Sequence, residues 1–312
     1  MMGWVANTDY SWFTFLRNRR ADEVNFWQPS GGRGFHAVKP GAPFFLKLKR
    51  PHDAIGGFGF FAHHSVLPAW LAWDTFREGN GAPDLDTMCR NIERLRRTPG
   101  GGRPGSYDIG CLVLTGCVFF ADEDWVRMPY DYAKNIVQGK TYDLRSGEGE
   151  RIWRECSERA SAVASRGGLT ADMAVDAAAG RYGKITLIQP RLGQGAFRVA
   201  VLDAYGRACA VSTEHSLPVL EAAHIRGYAE GGAHDVRNGI CLRSDIHRLF
   251  DAGYVTVDEE RRFVVSRRLK DDYDNGKVYY AFQGRTIELP RDPGQWPDPT
   301  SLQWHRERRF VA

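Results

Sequence analysis

Residues 221–251 read EAAHIRGYAEGGAHDVRNGICLRSDIHRLFD, and their reading decides the fold of the second half of the chain. Three side chains stand out by type and order: His224, Asn238 and His247. The run 219–225 predicts a strand, and 238–242 its hairpin partner across a glycine-rich loop. A helix of about two turns should follow, with Ser244 as its cap, Asp245 at its positive end and Gly253 closing it after Ala252. On that helix His247 and Asp251 are four residues apart and share a face, a spacing that lets two ligands hold one cation. Leu249 and Phe250 point elsewhere, into a core.

An imidazole with an ordinary pKa of about 6.5 is a neutral proton acceptor near pH 7. A base beside a cation, both held on a firm scaffold, is what hydrolysis of a phosphodiester requires. The triplet, set in strand, loop, strand and helix, resembles the ββα-metal fold of HNH endonucleases. The likeness extends upstream through residues 191–198 and 209–211 and covers about 189–269. It implies that His224 is the general base, that Asn238 braces the loop and orients that base, and that His247 binds a divalent metal ion. Mg²⁺ or Mn²⁺ is the expected ion, and other transition metals are compatible. Many HNH enzymes carry a metal-binding Asp or His just before the base, where this chain has Ala223. Metal binding then falls to His247, Asp251 and the substrate phosphate, with Glu221 as a further candidate, and affinity without DNA should be weak.

The first half is rich in aromatic residues, among them Trp4, Tyr10, Trp12, Phe26, Trp27, Phe44, Phe45, Phe58 and Phe60. Alternation in 44–49 suggests a strand, and 54–61 a partner whose glycines allow close backbone approach. A strand ending at 6–9, a helix, the segment 24–30 and then this hairpin resemble PUA-like domains, the EVE and YTH groups most, over about residues 3–140. Such domains bind nucleic acid, and several hold a modified base after it leaves the stack. A flipped base needs a flat apolar wall and a few polar groups for its edge. The resemblance implies Trp27 as wall, Asn7, Asp9 and Gln28 as hydrogen-bonding partners, and Tyr10 and Phe60 as alternative walls.

A chain of 312 residues suits two domains, and 43% hydrophobic with 26% charged residues is ordinary for a soluble globular protein. The net charge is only +4, so DNA binding would rest on local clusters such as Arg94, Arg96, Arg97 and Arg103; Arg261, Arg262, Arg267, Arg268 and Lys270; or Arg306, Arg308 and Arg309. Six cysteines without a CxxC pair argue against a zinc knuckle or a disulfide framework. No signal-like start and no membrane-length apolar run is seen, which points to the cytoplasm and to no membrane partner. The expected fold class is α+β: a PUA-like β-barrel domain with helices at 1–145, a helical connector at 146–188, and the ββα-metal HNH domain at 189–312 ending in an extended tail.

A modified-base reader joined to an HNH cutter resembles the type IV, modification-dependent restriction endonucleases of phage defence. That resemblance implies an enzyme that flips and recognises a modified base, chiefly modified cytosine, in double-stranded DNA and cuts nearby at a metal-dependent site. Two cuts need two active sites, which suits a homodimer. Two other readings stay open: an HNH nuclease without modification dependence, and a non-catalytic modified-DNA-binding protein whose HNH site has decayed.

Overall fold

The structure, a computed structural model, describes residues 1–31, 34–96, 103–165, 192–274 and 276–312. The chain is α+β and divides into two compact units, Met1–Arg191 and Leu192–Ala312. Among the described residues no helix is long and apolar enough to cross a membrane.

The first unit follows the predicted order of strand, helix, strand and hairpin. Its elements are β1 (Met2–Thr8), α1 (Tyr10–Arg19), β2 (Val24–Gln28), β3 (Pro43–Leu48), β4 (Ala54–Pro68), α2 (Ala69–Phe76), α3 (Leu85–Glu93), β5 (Asp108–Phe119), β6 (Val126–Arg127), β7 (Gly139–Asp143) and α4 (Gly147–Ser165). They build a seven-stranded sheet in the order β2-β5-β4-β3-β1-β7, with β6 on β4. Only β1 and β3 run parallel, Trp4 opposite Phe44; the other pairs are antiparallel.

Neighbouring residues on a strand face opposite sides, and the Phe44-Phe45 pair uses both. Phe44 joins a core with Trp12, Phe13 and Leu16 of α1. Phe45 joins a second core with Ile152, Cys156 and Ala160 of α4. Both faces are thus covered, which is why β3 is an unbroken buried run. The sequence reading placed α4 in a connector; its buried stripe at i, i+4 and i+8 instead makes it a cover for the sheet. The second expected connector helix, 171–181, lies outside the described residues, as do Arg97 and most of the loop 99–104.

The second unit comprises α5 (Gln194–Ala204), β8 (Leu220–His224), β9 (Gly239–Arg243), α6 (Ser244–Asp251), β10 (Val255–Val257), β11 (Phe263–Val265), α7 (Arg268–Tyr273), α8 (Lys277–Tyr280) and α9 (Pro299–Arg308). Hairpin and helix stand where the triplet places them. Helix α6 closes as expected, the Gly253 N–H reaching Phe250 O at 3.0 Å and the Tyr254 N–H reaching Leu249 O at 2.9 Å. Its start differs: Ser244 is the first helical residue and Arg243 holds the cap position without a side-chain cap bond. The Arg243 guanidinium instead grips Asp245 in the first turn at 2.6 and 2.8 Å.

The tail is also different from the extended segment expected. Asp298 accepts from the Ser301 N–H at 2.9 Å, and Pro299 sits in the first turn, where its missing N–H costs nothing. The resulting α9 sends His305, 2% exposed, against α6. Its ring stacks on Phe250 at 3.7 Å, Nε2–H donates to Phe250 O at 3.0 Å, and Nδ1 accepts from Thr256 Oγ1 at 2.9 Å.

Candidate functional site

In the hairpin register Ala223 lies opposite Ile240, and His224 opposite Gly239. Asn238 sits in a turn just before β9 and is 5% exposed. Its Oδ1 accepts from the Arg226 N–H at 3.0 Å, while Nδ2 donates to Arg226 O and to Ala233 O, both at 2.9 Å. Its own carbonyl accepts from the Ile225 N–H at 2.9 Å. One amide thereby ties the chain leaving His224 to the chain arriving at His234. Only an amide has both the donors and the acceptor for this pattern.

The His224 ring lies flat on Phe197 of α5, centroids 3.8 Å apart and planes at 12°. His234 meets it edge-on at 5.1 Å. His224 Nε2 is buried and has no hydrogen-bond partner, which leaves Nδ1 as the nitrogen that water can meet. Burial pushes the imidazole down to about 4, with the fields of His234 and His247 adding to the effect. The ring is therefore a neutral acceptor across the physiological range.

His247 stands between two carboxylates. Nδ1 is 2.7 Å from Glu221 Oε2 and Nε2 is 3.3 Å from Asp251 Oδ2. With Nδ1–H directed to Glu221, Nε2 and the Asp251 carboxylate face one another across 3.3 Å. A nitrogen and a carboxylate oxygen so placed are a donor set that fits a metal ion. Desolvation raises the Asp251 carboxyl above its ordinary value, opposed by His247 and Arg309. Glu221 is turned to the far nitrogen of His247, which suits it to orienting the ring rather than to sharing its ion. Ala223 is fully buried, and among the described residues no three His, Cys, Asp or Glu side chains form a metal-holding group. The two donors that face one another are His247 Nε2 and Asp251 Oδ2.

The tail holds the loop between the strands. Arg309 Nη2 donates to Glu230 at 2.6 Å, Arg237 Nη2 to Asp298 at 3.3 Å, and the Asp298 N–H to Arg237 O at 2.8 Å. Arg226 lies 5.6 Å from the centroid of the Trp304 ring. Several arginines expected to line a DNA path are engaged here or elsewhere: Arg262 with Asp258 and Glu260, Arg268 with Asp272, Arg306 with Glu259.

In the first unit an open pocket of about 180 Å³ is lined by Asp9, Ser11, Trp12, Phe15, Trp27, Gly81, Pro83, Thr87, Asn91, Arg94 and Leu95. Two of the six expected base-binding residues, Trp27 and Asp9, meet there. Asp9 also pairs with Lys49 at 2.7 Å. The other four do not line this pocket. Asn7 Nδ2 is spent on Ile136 O and Val137 O at 2.7 and 3.2 Å, Gln28 ends β2 opposite Gly110, and Tyr10 stacks on His52 at 4.2 Å. Phe60 is 7% exposed and packs among Phe58 and Trp153, which removes it as a wall for an incoming base.

The sequence reading missed what shapes this pocket. The backbone carbonyl of Asn80 accepts from both indole N–H groups, Trp12 and Trp27, each at 3.0 Å. The Asn80 side chain is itself fixed by Asn25 at 2.9 Å and by Ala72 O at 3.0 Å. Gly81 follows with φ +75, and a Cβ there would run into the Trp12 ring. Opposite, Thr87, Asn91 and Arg94 at i, i+4 and i+7 give α3 and its end a polar face toward the pocket. That spacing was readable; the fold that aims it at Trp27 was not.

Residues 209–258 match the HNH endonuclease family model. Among solved structures the chain is similar to a modification-dependent restriction endonuclease, TagI, at 14% identity and TM-score 0.27, over 86% of this chain and 61% of that one. It spans about three fifths of that protein's length. It is also similar to an ASCH protein of Zymomonas mobilis at 13% identity and TM-score 0.30, over 48% of this chain and 94% of that one. A point variant of the same protein matches at the same identity and TM-score. No curated protein matches the chain. The second unit, with its ordered triplet on a strand, loop, strand and helix and a family match across that segment, carries an HNH endonuclease domain at residues 209–258.

Proposed function

We propose that the chain is a modification-dependent DNA endonuclease, in which the first unit holds a flipped, modified cytosine and the second cuts the DNA with a divalent metal ion, Mg²⁺ or Mn²⁺. The observation that carries the cutting half is the neutral His224 with one open nitrogen, on the same ββα element as the facing donors of His247 and Asp251. In this reading Nδ1 of His224 takes a proton from water, and the oxygen so freed attacks phosphorus as the leaving oxygen departs with its bonding pair. Asn238 keeps the loop shut behind the base. Glu221 holds the His247 ring with Nε2 toward Asp251. Charge growing on the phosphorane and the leaving oxygen is what a cation held at His247 and Asp251 would stabilise.

In the pocket, Trp27 offers apolar ring surface, its indole held together with that of the buried Trp12 by Asn80 O, and the Asp9 carboxylate can accept from the exocyclic amine of cytosine. Asn91, Thr87 and Arg94 face the remaining edge. Affinity for a marked base raises the local concentration of the nuclease on the same DNA, and a homodimer would supply the second cut. The test is digestion of matched duplexes carrying plain, methylated, hydroxymethylated or glucosylated cytosine, with Mg²⁺ or Mn²⁺. Fast cutting of marked DNA is expected, with plain DNA cut only slowly and at high enzyme concentration. Equal cutting of all four leaves a nuclease without modification dependence, and no cutting with either ion rules out the enzyme.

A further inference from the structure

Resting on the nuclease reading of the second unit, we propose that Phe197 is a positioning residue for His224, and that Gly239 is the gap that admits it. Neither residue touches the reacting groups. The register puts Gly239 directly across from His224, where a side chain would stand beside the imidazole. With none there, α5 comes close: a Cβ built at 239 would lie 2.9 Å from Phe197 Cζ and would run into Val201. The phenyl ring, 1% exposed, takes that space and lies flat on the imidazole at 3.8 Å and 12°. His234 closes a second side, edge-on to His224 at 5.1 Å and to Phe197 at 5.8 Å.

His224 has no hydrogen bond at Nε2 to fix its ring, so the plane of the base is set by flat contact instead. The buried stack on Phe197 holds that plane and leaves Nδ1 as the nitrogen that water can meet.

The experiment compares wild type, Phe197→Leu, Gly239→Ala and His224→Ala in the full chain on a cleavable duplex with Mn²⁺. Leucine keeps apolar bulk without a flat face. Alanine at 239 keeps the phenyl ring but pushes it off the imidazole. Both should lower kcat by roughly tenfold to a hundredfold, the scale of a small misplacement of a catalytic group, with KM and DNA affinity unchanged. In parallel, the ring protons of selectively labelled His224 should resonate upfield in wild type, under the phenyl ring current, and return toward ordinary shifts in both variants. Where Phe197→Leu fails to fold, Gly239→Ala and the wild-type shifts decide. An active wild type with an inactive His224→Ala and fully active stack variants overturns the inference alone, as do unshifted His224 protons. A wild type as inert as His224→Ala overturns the nuclease reading, and the inference falls with it.

Discussion

At the scale of single residues, the second unit holds two histidines kept neutral by burial, one at the candidate site and one in the packing of α9. His224 and His305 are both pushed down to about 4, burial being the largest cause for each. An unfolded chain binds protons at both below about pH 6.5, while the folded chain refuses them until about pH 4. Their contribution to stability is thus fully present above pH 6.5 and is lost as pH falls toward 4, on the order of 2–3 kcal/mol per group at full titration. Urea denaturation midpoints should fall between pH 7 and pH 5. A flat profile contradicts this, as does an NMR titration of His224 centred near 6.5. The identities of His224, Asn238 and His247 were legible because their types and order are unusual. Their partners were not. Nothing near residue 224 in sequence announces Phe197, and nothing near Trp27 announces Asn80, since both contacts are made by distant parts of the chain.

At the scale of elements, local signals read well wherever local physics decides. The hairpin, α6 with its Gly253 stop, and β10 with β11 all formed near their expected bounds. Two elements were misjudged. Helix α4 was read as a connector, whereas tertiary burial of Ile152, Cys156 and Ala160 makes it a cover for the sheet. Helix α9 was hidden by prolines that sit where a helix tolerates them. Its contacts with α6 and with the loop between β8 and β9 make it part of the second unit's packing. Substituting Asp298 by alanine removes the cap of α9 and the partner of Arg237 together, and should cost about 1–2 kcal/mol of stability. Because that loop carries Asn238, cleavage should weaken more than DNA binding. If the variant cuts at the wild-type rate, the tail is a passenger.

At the scale of the whole molecule, each unit carries a candidate site that the other lacks. The pocket holding Trp12, Trp27 and Asp9 belongs to the first unit, and the pair His247 and Asp251 to the second. Trp27→Ala should therefore erase the preference for marked over plain duplex, while the slow cutting of plain DNA at high enzyme concentration persists. Loss of both together would mean that Trp27 supports folding rather than recognition. The α+β class and the HNH domain in the second half were legible from the alternating strands and the ordered triplet. The pocket's polar lining was not, because Thr87, Asn91 and Arg94 become neighbours of Trp27 only through the sheet. The contacts of α9 with the HNH loop carry one more consequence, which concerns timing. A ribosome delivers the first unit first, then the hairpin, and only later Asp298, Trp304 and Arg309. Until those residues emerge, the loop bearing Asn238 has no outer brace. In the proposed reading, the chain thus completes its base pocket before it is armed to cut.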